Sequence, residues 1–142
     1  MIELQDHIEP TRLPQLMDLY AQAWWARERE VAGVAAMLER SDLLFALVDR
    51  NADRLVGFAR VLTDGVYLAV VLDVVVADDC RNNGLGGSLM EAILGHPQVS
   101  RVRSIELVCQ PDLIAFYRRF GFTDQVGHSR LLRKSADPIL MS

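Results

Sequence analysis

The stretch VVVADDCRNNGLGGSLMEAIL, residues 74–94, decides how this chain folds. Its first part closes the most hydrophobic run of the sequence, VYLAVVLDVVVADDC, whose density of Val and Leu reads as a buried strand. Its last part sets Leu85, Leu89, Ile93 and Leu94 on one face of a helix that ends before His96-Pro97. Between them, RNNGLGG joins strand to helix. At such a junction the first helical amides lack intrahelical partners and the positive end of the helix dipole faces outward. An anion placed there gains several hydrogen bonds at once. Glycines at 84, 86 and 87 remove the β-carbons that would hold a phosphate away. Two familiar phosphate motifs fail on spacing: G-x-G-x-x-G from Gly84 meets Leu89, and a P-loop needs a Gly-Lys pair that the turn lacks.

Working outward, Ile2 and Leu4 alternate with polar neighbours as a short first strand. Leu13, Leu16, Met17, Tyr20 and Trp24 follow at helical spacing, predicting a helix that runs through Trp25 and Arg27. A second helix is expected over about residues 28 to 40, from Val31, Val34, Ala35 and Leu38. LLFALVD and LVGFARVL are strands separated by the NADR turn, and Asp64-Gly65 predicts a tight hairpin into VYLAVV. RVRSIELVC is a further strand, and Leu113, Phe116, Tyr117 and Phe120 mark a helix stopped at Gly121. A last strand near Ser129–Arg133 precedes a polar tail over about residues 135 to 142. The order gives an α/β (α+β) domain, residues 1–142, with helices packed on a mixed sheet.

Composition narrows the function. With 142 residues and 51% hydrophobic content the chain can build one real core. A net charge of −4 disfavours a nucleic-acid partner, which needs concentrated basic surface. Cys80 and Cys109 lack neighbours at metal-ligand spacing, so no metal is expected and free thiols in a reducing compartment are the simplest account. No basic and apolar leader opens the sequence and no run is long enough to span a membrane, so a cytoplasmic location is the expectation.

The segment 74–94 resembles the acetyl-CoA signature of the GNAT N-acetyltransferase family, R/Q-x-x-G-x-G/A opening a helix, with Arg81, Gly84 and Gly86 on its fixed positions. LVCQPDLIAFYRRFGF resembles that family's later block, through Phe116, Tyr117, Gly121 and Phe122. The resemblance extends over about residues 2 to 134. It implies a mostly antiparallel sheet with a splayed pair of strands and helices on both faces. It also implies acetyl-CoA as co-substrate, with its pantetheine arm along the backbone of Val74 and Val76 and its pyrophosphate on amides of Arg81, Asn82, Asn83, Gly84, Leu85 and Gly86. Tyr117 would then protonate the leaving thiolate as general acid. The motifs depart from the family at Asp78-Asp79-Cys80 and at Gln110-Pro111-Asp112, so no ligand is carried over to Gln110. Members of this fold often dimerise, which leaves a homodimer open.

On the acceptor side, a two-residue turn at Asp64-Gly65 would pair Leu62 with Tyr67 and Arg60 with Ala69. That register puts Arg60, Tyr67 and Asp73 on one face. A bulge in the later strand would change the face of residues beyond it. Arg60 and Asp73 either pair in a buried network or line a pocket, with Asp73 as base or water-orienting group and Arg60 on an acidic group of the acceptor. Trp25 and Arg27 lie off the apolar stripe and are expected at the acceptor site, with Trp24 in the core. Glu106 is a second carboxylate candidate. The chemistry expected is direct attack of a primary amine, on a small molecule or peptide, upon the thioester. The alternative is a non-catalytic module that senses acyl-CoA. A purely structural domain would leave the glycine turn without purpose.

Overall fold

The computed structural model describes all of residues 1–142. The chain forms two compact units, Met1–Val108 and Cys109–Ser142. The first holds a five-stranded sheet in simple sequence order: β1 (Ile2–Gln5), β2 (Leu43–Asp49), β3 (Arg54–Thr63), β4 (Leu68–Val76) and β5 (Ser104–Glu106). The first four strands are antiparallel, and β5 lies parallel to β4. Helices α1 (Leu13–Ala21) and α2 (Val31–Arg40) connect β1 to β2, while α3 (Leu85–Gly95) and α4 (Pro97–Ser100) make the crossover that a parallel neighbour requires.

The central strands are apolar because both faces are covered. On one face Leu16, Leu19 and Tyr20 of α1 and Val34 of α2 pack with Ala46, Val48, Phe58 and Val75. On the other, Gly57 lets α3 come close. A β-carbon there would lie 3.2 Å from Leu47 Cδ1 and 3.4 Å from Leu89 Cδ1. The mostly antiparallel α+β sheet expected from the sequence is therefore the sheet observed.

Several local expectations give way. Helix α1 stops at Ala21, and Gln22 and Ala23 bond back to Leu19 and Tyr20 in tighter turns. The helical phase is lost there, so Trp24 is 40% exposed while Ala23 and Ala26 are buried. The hairpin loop is wider than two residues. Asp64 Oδ1 accepts from the amides of Val66, Tyr67 and Leu68 at 2.8, 2.7 and 3.2 Å, and pairing begins at Thr63–Ala69. Leu62 consequently faces Val70, and Tyr67 stands 66% exposed outside the ladder, away from the face of Arg60. Further on, Arg60 pairs with Leu72 and Phe58 with Val75, so Asp73 and Val74 together oppose Ala59 in a bulge, with Asp73 at φ +58°.

In the second unit a turn at Pro111–Leu113 leads into α5 (Ile114–Arg118), and the chain reverses at Gly121, φ +92°. Phe116 and Phe122 pack edge-on against Tyr117. The strand expected at 129–133 is absent, with Leu131 and Leu132 65% and 92% exposed. Two adjacent leucines fall on opposite faces of any strand, so neither face is consistently apolar. The end of the tail is helical, α6 (Pro138–Met141), capped by Asp137, whose carboxylate accepts from Ile139 N–H at 3.0 Å.

Candidate active site

The glycine turn is built as a row of donors. Gly84 caps α3 in the left-handed region, φ +77°, with Asn82 also left-handed at φ +66°. This alternation folds successive amides toward one side of the turn. The amides from Asn82 to Gly87 donate to no protein group, and Ser88 N–H is the first to bond back, to Gly84 O at 3.0 Å. Arg81, Asn82, Asn83 and Gly84 are exposed, Gly86 is half-buried, and Leu85 is buried as the first core residue of α3. A β-carbon at Gly84 would meet no protein atom within 4 Å, so the space above the turn is open. Arg81 pairs with Asp78 at 2.9 Å, at the surface.

Strand β4 leads into this turn with most of one edge unclaimed by the sheet. Its pairing with β5 covers only Leu68–Val70 against Ser104–Glu106. Beyond Val70 the strands part. Ala77 N–H bonds Val56 O on the β3 side at 2.9 Å. By the alternation of an antiparallel ladder, the amides of Val76 and Val74 therefore face the opposite, parted side. An extended amide-bearing chain laid there would find backbone partners, and an anion at its end would reach the row of turn amides.

The bulge aims Asp73 at a second constellation. Arg29 donates from Nη1 and Nη2 to Asp73 Oδ2 and Oδ1 at 2.6 and 3.1 Å. Arg60 Nε and Tyr20 OH donate to Oδ2 at 2.8 and 2.9 Å. Burial alone would raise the Asp73 carboxyl, but the hydrogen bonds and charges of Arg29 and Arg60 outweigh it and hold the group below the ordinary aspartate value. Burial, with the Asp73 charge next to it, pushes the Tyr20 phenol upward, so Tyr20 is a donor only. A carboxylate with this many partners is a poor base and a good anchor. The Arg29 guanidinium also lies 4.7 Å over the Tyr20 ring and 5.4 Å from the Trp25 ring. Both arginines line an open cleft of about 240 Å³ with Glu30, Gly33, Val34 and Met37.

Tyr117, on α5 in the second unit, is 8% exposed, and its hydroxyl donates to no protein group. Burial, helped by Cys109, raises its phenol to about 12, so it keeps its proton at neutral pH. Cys109 is itself half-buried and raised by burial, which makes it a poor nucleophile.

A sequence model of the family described as "Acetyltransferase (GNAT) family" matches residues 3–122. The chain belongs to the GNAT acetyltransferase family. The GNAT fold is an acyltransferase fold, and the relatives carry names to match. Over 127 residues the chain is 33% identical to the N-acetyltransferase ycf52 of Porphyra purpurea, covering 85% of this chain and 72% of that protein. It is 35% identical over 109 residues to serotonin N-acetyltransferase 2, chloroplastic, of Oryza sativa subsp. japonica, covering 75% of this chain and 54% of that one. The chain thus spans little more than half of that plant relative. Among solved structures, a GNAT acetyltransferase from Xanthomonas campestris pv. campestris superposes with a TM-score of 0.80 at 27% identity, covering 96% of this chain and 94% of that one.

Within this GNAT chain the structure joins some sequence candidates and scatters others. Asp73 and Arg60 meet directly, and Trp25 reaches their network through Tyr20 and Arg29. Arg27 is exposed and takes no partner, Tyr67 sits on the hairpin loop, and Glu106 is exposed on β5. Arg29 and Tyr20 were missed. Tyr20 reads as core by its spacing, and Arg29 lies in the charged run RERE, which reads as solvent-facing. The one available signal was Asp73, since a carboxylate in so apolar a strand demands cations from elsewhere.

Proposed function

We propose that this chain transfers an acetyl group from acetyl-CoA to a primary amine by direct attack of the amine on the thioester. The observation that carries the reading is the run of unclaimed amides from Asn82 to Gly87 at the end of a strand whose Val74 and Val76 amides face a parted edge. This donor set fits a pyrophosphate followed by an amide-bearing arm. Acetyl-CoA, when bound, supplies the activated acyl group as a thioester.

The chain's own residues bind, orient and move protons. The turn amides hold the pyrophosphate, and the backbone of β4 orients the arm so that the attacking amine meets a fixed carbonyl. Tyr117, protonated at neutral pH, would give its proton to the departing sulfur, a role that rests on the F-Y-x-x-x-G-F match, while the proton released by the attacking amine would pass to water. The acceptor enters by the arginine cleft, where Asp73 fixes Arg29 and Arg60.

A second reading, an acyl-CoA sensor without turnover, is favoured by one observation. The buried carboxylate of the cleft is fully engaged by two arginines and a tyrosine, so it is no free base for the amine proton. Thermal melting with acetyl-CoA and thiol release across a panel of amines decide between them. A raised melting temperature with amine-dependent thiol release supports the enzyme. A raised melting temperature without release supports the sensor, and no shift at all rejects both.

A further inference from the structure

The cleft beside β4 holds more positive charge than its buried partner neutralises. Arg29 and Arg60 both bond to Asp73, and Tyr20, the fourth member, is neutral. The cluster therefore keeps one unit of positive charge on two guanidinium groups whose side chains are 31% and 16% exposed. Asp73 takes three donors on Oδ2 and one on Oδ1. The remaining N–H groups are mostly free: Arg60 Nη1 has a 3.4 Å contact to Ser41 Oγ, Arg29 Nη1 has a 3.8 Å contact to Met37 Sδ, and Arg60 Nη2 has none.

The walls select among anions. Val34 and Met37 give the cleft an apolar side, and Gly33 leaves it open, with no atom within 4 Å of a β-carbon placed there. Glu30, exposed at the same cleft, pairs with neither arginine, so its charge works against any anion there and about twice as strongly against a dianion as against a monoanion. A single excess positive charge, forked donors and a restraining carboxylate match a monoanionic carboxylate better than a phosphate dianion.

We infer that the acceptor is an amine that also carries a carboxylate, an amino-acid-like molecule or peptide end, with Arg29 and Arg60 receiving the carboxylate and Asp73 serving as their positioning residue. The inference rests on the reading of this cleft as the acceptor's entrance.

The test uses matched pairs on the full chain: amino acids against the amines made by removing their carboxylates, such as phenylalanine with phenethylamine and γ-aminobutyrate with propylamine. Thiol release with saturating acetyl-CoA gives kcat/KM, and thermal melting without acetyl-CoA gives binding alone. The carboxylate-bearing members should show kcat/KM higher by about tenfold or more, the size of one charge-assisted interaction. They alone should raise the melting temperature. Arg29→Gln should bring the ratio of kcat/KM within each pair toward one, whatever it does to turnover as a whole. If that variant fails to fold, Arg29→Lys keeps the charge, loses the fork and should shrink the preference. Equal or better turnover of the decarboxylated amines overturns the inference while leaving the acetyltransferase reading intact. If no amine is turned over, the acetyltransferase reading falls, and the melting arm still decides: a shift by carboxylate-bearing amines alone supports the pocket, and no such shift overturns it.

Discussion

Arg29 donates to both oxygens of Asp73, at 2.6 and 3.1 Å, although the two residues lie 44 positions apart. The contact ties the connector between α1 and α2 to the bulge in β4, so the cleft and the central sheet share one anchor.

Replacing Asp73 by Asn leaves the left-handed backbone comfortable, since Asn tolerates that region. It also leaves two guanidinium groups without their counter-charge. The expected loss is about 3 kcal/mol at neutral pH, the scale for breaking a buried ion pair. Because the folded carboxyl lies below its ordinary value of 3.8, its stabilisation is complete above that value and is lost as pH falls through the depressed one. The gap between wild type and Asp73→Asn in urea unfolding should narrow only below about pH 4. A gap unchanged between pH 7 and pH 3 contradicts the assignment.

Gly84→Val places a branched side chain at φ +77° in the open space above the turn amides. The backbone penalty is roughly 1–2 kcal/mol, small enough to keep the fold. Acetyl-CoA should no longer raise the melting temperature of this variant, whereas Gly84→Asn, at home in the left-handed region, should unfold close to wild type. Retained acetyl-CoA stabilisation in the valine variant refutes the cradle.

Tyr117→Phe keeps the ring that packs edge-on against Phe116 and Phe122 and removes only the hydroxyl. Turnover should fall by about 10²-fold, with the acetyl-CoA melting shift preserved. Near-normal turnover removes Tyr117 from the proton path.

Tyr20→Phe removes the 2.9 Å bond to Asp73 while keeping the edge contacts with Trp25 and Phe58. A hydrogen bond to a charged group contributes about 1.5–3 kcal/mol, so urea unfolding should register a loss in that range. The acceptor's KM should rise with kcat little changed, because Arg29 loses part of its seat. A fall in kcat alone points to a direct catalytic role.

The sequence reveals this fold where local chemistry agrees with tertiary demand. Gly84 announces its own backbone conformation, and the apolar run before it can only be a buried strand. The candidates that moved did so for tertiary or side-chain reasons. Tyr67 left the ladder because Asp64 captures three amides and widens the hairpin loop. Trp24 turned to solvent because α1 ends three residues before it. Arg29 was invisible because nothing within RERE distinguishes a solvated arginine from one drawn in by a carboxylate on a distant strand.

The parted edge of β4 has a consequence for handling the protein. A strand with amides that no sheet neighbour claims is a template for any extended chain, including another copy of itself. If acetyl-CoA lies there as proposed, it stands in for a missing strand and blocks that self-association. Solutions kept with the cofactor should therefore stay clear on storage longer than solutions from which it has been dialysed away.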